Sequence, residues 1–328
     1  MQEVRFMKEK QKSKGTTMGE SFQDRLDNSY QIPSYILDKD LGAQISSDGA
    51  RSTDTNSEDL PVIPLTPEQR YSFDAKGWLL IPGVLTASEI VEMREFVKVL
   101  HEDPESLPEY ERSSVGGPLQ KLTDHPIVVG FAQEFLYQPY TDGGGPSLAN
   151  ENCYGFRQES SFITIRSASG NTPGAKGDGN FAPHNGNGMM RLPGDCHYYQ
   201  AFPGHAYSAL TRIVWEFNEV ATGDGGTLLL TGSHKAAFPA PQTVFNAKSD
   251  LWDTYSCPEG SVLIFTEALT HSGIQWQNSA RKRIAVFNCY NSIHSKWHNW
   301  NPPEAVLNAM PEKRKTLYRP VYVSGNFT

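Results

Sequence analysis

The amino-acid sequence predicts a mainly β protein with flanking helices, arranged as a double-stranded β-helix, the jelly roll of cupin-like proteins. Short β-prone runs fill the second half of the chain, Gly- and Pro-rich turns separate them, and no long helical pattern lies between them. This punctuation is typical of a β-sandwich or a jelly roll, and only the jelly roll gathers side chains from different strands at the mouth of a barrel. The runs are Phe162–Ile165, Ile213–Phe217, Thr227–Leu230, Ser261–Phe265 and Ile284–Tyr290.

One folded domain is predicted over residues 64–328, and a polar tail precedes it. Residues 1–60 are rich in Ser, Asp, Lys and Gln and lack apolar periodicity, so we expect them to be disordered. Near the start of the domain, Thr86 and Glu89 have the spacing of a capping box. The helix that follows is expected to direct one apolar face to the core, formed by Ile90, Met93, Val97 and Leu100.

The composition restricts the class of partner. A formal net charge of −8 argues against a general nucleic-acid-binding surface. No apolar run reaches the ~20 residues that cross a bilayer, and Met1–Gly15 has no apolar signal region. The four cysteines form no CxxC pair, which favours free thiols in a reducing compartment. We therefore expect a cytoplasmic protein that acts on a small molecule.

Two histidines are candidate metal ligands. His184 opens the tripeptide His184-Asn185-Gly186, and His271 follows the apolar run Ser261–Phe265. A His-X-carboxylate motif with a distant second His is the pattern of non-haem iron oxygenases, in which two His and one carboxylate hold Fe(II) on one face. The chain has nine histidines, so the interpretation depends on the strands around these two.

Two arginines are candidates for anchoring 2-oxoglutarate, the cosubstrate of such oxygenases. Its distal carboxylate needs a planar two-pronged donor, for which Arg is better suited than Lys. Arg281 and Arg283 begin the last β-prone run, and period-two alternation gives them a common face. We favour Arg281 as the anchor, with Arg283 as the alternative.

Gly186 stands where the third ligand, a carboxylate, is expected. Chloride could fill the position, because glycine has no Cβ to collide with the ion and N–H groups near Gly186 and Asn187 could hold it. Such a site would chlorinate its substrate. Three alternatives remain open: water fills the gap and the enzyme hydroxylates, another carboxylate such as Asp195 binds the metal, or the protein is a non-catalytic jelly roll.

Several segments, in order along the chain, resemble the phytanoyl-CoA dioxygenase (PhyH-like) family. The resemblance implies a double-stranded β-helix, Fe(II), 2-oxoglutarate and O2, with His184 and His271 as iron ligands and Arg281 as the cosubstrate anchor. The departure is Gly186: the hydroxylases of the family carry Asp there, and the 2-oxoglutarate halogenases carry Ala or Gly. The sequence therefore favours a halogenase. The segments are Phe73–Thr86, Asp224–Lys235, Pro258–Phe265, Thr270–Gly273 and Arg281–Ile284.

Polar and aromatic residues outside these segments are weaker candidates for substrate contacts. Arg157, Gln158 and Arg166 lie before and within the first jelly-roll strand, where solvent-facing charge is the favoured interpretation for each. Contact with an anionic substrate or the cosubstrate is the alternative. Trp297 and Trp300 could form a wall of the substrate pocket or pack against the N-terminal helix.

Overall fold

The computed structural model describes residues 55–137, 149–168, 181–186, 195–202 and 204–321. Most of the predicted tail, residues 1–54, lies outside these ranges, as does Asn187. Residues 55–60 form a turn that the Thr55–Pro61 bridge closes.

A five-stranded antiparallel sheet is the main layer. Its strand order is β1-β7-β5-β9-β2, and two shorter ladders, β3–β4 and β6–β8, accompany it among the described residues. The strands are β1 Trp78–Ile81, β2 Phe156–Arg166, β3 Tyr199–Phe202, β4 His205–Ser208, β5 Thr211–Glu216, β6 Gly226–Leu229, β7 Ser261–Thr266, β8 His271–Ile274 and β9 Arg283–Ser292.

The two faces of the main sheet bury different partners, because successive side chains of a strand point to opposite faces. One face packs against the helices, with residues such as Ile213, Trp215 and Val286 in the larger apolar core. The other face packs towards β6 and contributes Val214 and Phe287, among others, to a second cluster that includes Leu229. This second face is the inner surface of the jelly roll.

The helices cover the outer face of the sheet. Thr66 and Thr86 cap the first two helices with complete capping boxes, which satisfies N–H groups that would otherwise lack partners. Phe73 of the first helix contacts Phe131 and Phe135 of the third, with ring centroids 4.8 and 4.7 Å apart. The helices are α1 Pro67–Lys76, α2 Ala87–Glu102, α3 Pro126–Phe135, α4 Glu304–Asn308 and α5 Glu312–Lys315.

The predicted mainly β architecture with flanking helices is confirmed. Each β-prone run lies wholly or largely within an observed strand, and the Thr86–Glu89 capping box is present. The helices α3, α4 and α5 and the strands β3, β4 and β8 were not predicted. The strands β3, β4 and β8 have only four residues each, too few for periodicity to distinguish them from turns.

The four cysteines are free and buried, as the lack of a paired motif predicted. Across the described ranges, none of the helices has the length and apolar character that crossing a membrane requires.

Buried His234 makes folding stability depend on pH. Its Nε2 lies 2.9 Å from the Asp74 carbonyl oxygen, and burial lowers the pKa of His234 from 6.5 to about 4. The unfolded chain therefore binds the proton more readily than the folded protein. The contribution of neutral His234 to the free energy of unfolding is fully present above about pH 6.5 and is lost as the pH falls towards 4. A shift of this size corresponds to about 3 kcal/mol.

We expect His234→Gln to reduce the loss of unfolding free energy between pH 7 and pH 5, measured by urea denaturation at each pH. The exposed His101→Gln serves as the matched control and should retain the wild-type pH dependence. An equal loss of stability in wild type and His234→Gln would contradict this assignment.

Candidate metal centre

The two predicted histidines lie side by side on the inner surface. His184 and His271 exchange backbone hydrogen bonds of 3.2 Å in an antiparallel bridge, and their ring centroids are 4.2 Å apart. Each Nδ1 lies close to a backbone carbonyl two residues earlier, at 2.7 Å from Ala182 O and 2.8 Å from Leu269 O. A proton on each Nδ1 donates to that carbonyl, which leaves both Nε2 atoms as electron-pair donors.

Glu267 supplies a carboxylate beside the two rings. Its Oε2 is 3.5 Å from His271 Nε2, and one donor atom from each of Glu267, His184 and His271 lies within 4.8 Å of the others. Sequence reasoning missed Glu267. The available signal was its position four residues before His271, in the turn after β7 rather than in the His-X-Gly motif.

Two side chains hold the Glu267 carboxylate in place. Arg212 of β5 donates to Oε1 from Nε at 2.9 Å and lies 2.8 Å from the same oxygen through Nη2. Asn185 donates from Nδ2 to Oε2 at 2.8 Å. The middle residue of His184-Asn185-Gly186 therefore orients the carboxylate that the third residue does not provide.

The electrostatics suit a cation. Burial opposes ionisation of Glu267, but the charges of Arg212 and His271 and the Arg212 hydrogen bond outweigh it and lower the pKa of Glu267 to about 2. Burial also lowers the pKa of His271 to about 4, against the attraction of Glu267. An ionised carboxylate and imidazole donors are the ligand set of a facial two-histidine, one-carboxylate site, so these residues fit Fe(II).

The conformation of Gly186 explains why no side chain stands there. Its φ is +107°, and a Cβ at this position would collide with Thr270 Oγ1 and lie 3.3 Å from Thr270 Cβ. The Thr270 hydroxyl donates to the Asn185 carbonyl at 3.1 Å, and Asn185 itself has a φ of +62°. This turn favours glycine whether or not a ligand occupies the space.

Asp195, the other carboxylate considered as a replacement ligand, accepts hydrogen bonds from His197. Its Oδ1 lies 2.8 Å from His197 N and 3.0 Å from His197 Nδ1. Within the described residues, the group that could hold a metal contains Glu267 and not Asp195.

The two candidate anchor arginines lie in different surroundings. Arg281 precedes β9, in a turn, and its Nη atoms pair with Glu219 at 2.8 Å and Asp224 at 2.9 Å. Arg283 is the first residue of β9 and is 1% exposed. The alternation that was expected to give both a common face fails, because it requires both residues to lie within the strand.

Arg283 belongs to a buried polar cluster on the inner surface. Its guanidinium donates to both oxygens of Glu216, to Tyr255 Oη at 2.9 Å and to Thr227 Oγ1 at 3.4 Å. Arg166 lies opposite Arg283 in the β2–β9 register. Burial and the neighbouring Arg283 lower the pKa of Arg166 to about 10, so both arginines remain charged at neutral pH.

Aromatic side chains line the inner surface around the metal centre. Phe162 stacks on Phe287 with ring centroids 4.9 Å apart, and the Arg212 guanidinium lies 5.5 Å from the Phe162 ring. The Phe265 ring is 4.7 Å from that of His271. Phe162 is 46% exposed although it lies on the inner face, which gives the site an apolar surface for a substrate.

Comparison with solved structures supports the fold. Structures of HygX from Streptomyces hygroscopicus are similar to this chain. In each comparison, the matched region covers 90% of the HygX chain. HygX with nickel and 2-oxoglutarate is 20% identical over 71% of this chain, with a TM-score of 0.53. HygX with nickel, 2-oxoglutarate and hygromycin B is 22% identical over 71% of this chain, with a TM-score of 0.53. Iron-bound HygX is 19% identical over 72% of this chain, with a TM-score of 0.52.

The two proteins share a fold. This chain is therefore a cupin-like jelly roll, as the sequence predicted. No family model matches the sequence, and no curated protein matches it either. The resemblance to the phytanoyl-CoA dioxygenase family stays a prediction.

Glu267→Gln tests the assignment of the carboxylate ligand. The amide keeps the shape but removes the charge, so we expect Ni(II) affinity, measured by titration calorimetry, to fall by about 100-fold. Asp195→Asn is the matched control and should bind Ni(II) like the wild type. Circular dichroism verifies folding, because Arg212 loses its ionic partner in Glu267→Gln. Wild-type affinity in Glu267→Gln would exclude it as a ligand.

Gly186→Ala tests the conformational origin of the glycine. We expect a loss of about 1–3 kcal/mol of unfolding free energy, because alanine must adopt φ near +107° and displace the Thr270 hydroxyl. In a Thr270→Ala background the loss should be smaller, since the collision is relieved while the φ strain remains. Equal losses in the two backgrounds would show that Thr270 does not restrict position 186.

Proposed function

We propose that this protein is an Fe(II)- and 2-oxoglutarate-dependent oxidoreductase that uses O2 to oxidise a C–H bond of a small molecule. The observation that carries the proposal is the convergence of two oriented Nε2 atoms and the ionised Glu267 carboxylate on the inner surface of a jelly roll. HygX, which shares the fold, has been crystallised with iron and with nickel and 2-oxoglutarate. With 2-oxoglutarate bound, Fe(II) would supply the activation of O2.

The residues of the chain have separate roles in this proposal. His184, His271 and Glu267 would hold the metal, and Arg212 and Asn185 would keep the carboxylate oriented towards it. The aromatic surface around Phe162 would exclude water from the substrate. A dry site strengthens the electrostatic interactions on which orientation depends.

Arg283 is the proposed anchor for the distal carboxylate of 2-oxoglutarate. It contacts Thr227 of β6, which pairs with Gly273, about 7 Å along β8 from His271. Glu216 neutralises the charge of Arg283, and Arg166 lies opposite Arg283 in the β2–β9 register. These two arginines and one carboxylate have a net charge of +1, which would attract the distal carboxylate of 2-oxoglutarate. The prediction of Arg281 has less support, because Arg281 lies in the turn before β9 and pairs with Glu219 and Asp224 instead of joining this buried cluster.

Hydroxylation or a related C–H oxidation is the reaction type that these contacts favour. Glu267 offers a carboxylate ligand, and the turn at Gly186 accounts for the glycine without a halide. Halogenation is the second candidate, favoured by the absence of a side chain at position 186, where hydroxylases of the resembled family carry Asp. Chloride would then occupy a first-sphere position next to Gly186.

Anaerobic titration with Fe(II) and 2-oxoglutarate, followed by the visible metal-to-ligand charge-transfer band, tests the function. We expect the band to form and to saturate with 2-oxoglutarate. Arg283→Lys should lower the affinity for 2-oxoglutarate at least tenfold, since lysine keeps the charge but loses the planar guanidinium with its paired donors. Arg281→Lys is the matched control and should leave the affinity unchanged. The opposite order of effects would make Arg281 the anchor.

The same titration with and without chloride distinguishes the two reactions. With Glu267 on the metal, we expect the band to be insensitive to chloride. A saturable response to chloride would support halogenation instead. A folded, iron-loaded protein that forms no band would be a non-catalytic jelly roll, and the proposed function would be wrong.

A further inference from the structure

Two side-chain nitrogens of the buried Arg157 lack a hydrogen-bond acceptor among the described residues. Its side chain is 2% exposed, and no acceptor among the described residues is within hydrogen-bonding distance of Nε or Nη1. A buried charge is costly unless an opposite charge or an acceptor meets it. An arginine kept in this state therefore indicates an acceptor outside the described residues.

The β2–β9 register places Arg157 on the inner surface. Arg157 lies opposite Asn291, and Ser160 lies opposite Cys289, across a bulge at Glu159. Directly opposite residues of an antiparallel pair share a face, and Asn291 and Cys289 are two residues apart on β9. Ser160 is 3.4 Å from Arg212, which binds Glu267, so this shared face is that of the metal centre.

The surroundings of Arg157 have an excess of positive charge. Burial lowers the pKa of Arg157; the attraction of Glu159 opposes this shift and the repulsion of Arg319 adds to it. Burial and the charge of Arg157 likewise lower the pKa of Lys296, so three cations lie near one carboxylate. Glu159 is the acidic group nearby, but its oxygens already accept several hydrogen bonds. The donors are Asn291 Nδ2, Trp297 N, His298 N and His298 Nδ1.

Arg157 and the candidate metal centre lie on the same face of the sheet, three strand spacings apart. Arg157 and Glu267 adjoin the two ends of one row of paired residues, so three strand spacings, about 14 Å, separate their backbones. The row consists of Gln158, Tyr290, Thr211 and Thr266.

The proposed cosubstrate anchor lies elsewhere. Arg283 and Asn291, the partner of Arg157, are eight positions apart on β9, about 27 Å along the strand. One molecule of 2-oxoglutarate cannot reach both the metal and Arg157 while its distal carboxylate is held by Arg283. The two buried arginines therefore serve different anions.

We propose that Arg157 binds an anionic oxygen group of the substrate, a carboxylate, phosphate or sulfate, and so directs the rest of that molecule towards His184 and His271. The inference rests on the proposed function and names its substrate class: a small organic anion. The apolar part of such a molecule would lie against Phe162 and its stacked partner Phe287. The exposed Trp297, whose backbone N–H binds Glu159, stands beside this end of the surface.

Equilibrium dialysis of the metal-free full chain with radiolabelled sulfate, phosphate and acetate, at constant ionic strength, tests the anion site. We expect the wild type to bind about one equivalent of at least one probe, and Arg157→Met to bind it at least tenfold more weakly. The matched control is Arg70→Met, which removes a surface arginine paired with Glu134 and should bind like the wild type. Equal affinity in Arg157→Met, or no binding of any probe to the wild type, would overturn the proposal.

Stability provides an independent readout. In buffer without these anions, Arg157→Met should not lower the denaturation midpoint, because methionine removes a buried cation whose Nε and Nη1 lack acceptors among the described residues. A lower midpoint would mean that Arg157 has a structural partner, and would overturn the proposal.

The charge-transfer band separates this inference from the proposed function. A band that forms in the wild type and in Arg157→Met, with anion binding lost only in the variant, supports both. Loss of anion binding in Arg157→Met without any band in the wild type keeps the anion site and removes the oxidoreductase function. A band in the wild type, together with anion binding that Arg157→Met does not weaken, supports the oxidoreductase function and overturns the anion site.

Discussion

The buried ion pair between Glu267 and Arg212 joins the turn before β8 to strand β5, and the candidate metal centre depends on it. Arg212 keeps the Glu267 carboxylate ionised in a buried place where a lone carboxyl would take up a proton. The ionised carboxylate in turn favours a cation between the two imidazoles. The pair therefore maintains a negative charge beside the two imidazoles, at the cost of burying two charges.

The backbone completes what this ion pair begins. His184 and His271 are joined by a two-way backbone bridge, and a carbonyl two residues earlier orients each ring. Asn185 lies between His184 and Gly186 and binds Glu267. The carboxylate beside the two histidines thus comes from Glu267 in a different segment, and Asn185 of the His-Asn-Gly turn orients it.

Charge is distributed along the inner surface in a way that matches two anionic reactants. The cluster around Arg283 carries one positive charge in excess at one end, and Arg157, with Nε and Nη1 unpaired among the described residues, lies at the other. The metal centre and the aromatic pair Phe162–Phe287 lie between them. A cosubstrate and an anionic substrate would approach the same metal from opposite sides, which keeps like charges apart.

Local sequence by itself determined the β-rich jelly-roll character, the capping boxes and the histidine pair, because these depend on short-range periodicity and on motifs of a few residues. Only the tertiary structure decided which carboxylate joins His184 and His271. Glu267 meets His184 through a bridge between distant segments, and its charge is maintained by Arg212 from a third. It also placed Arg283 at the start of β9 and Arg281 in the turn before it, since where β9 begins depends on its neighbours β2 and β5. Strand pairing brings together residues that are distant in the sequence, and local sequence patterns do not specify which of them become neighbours.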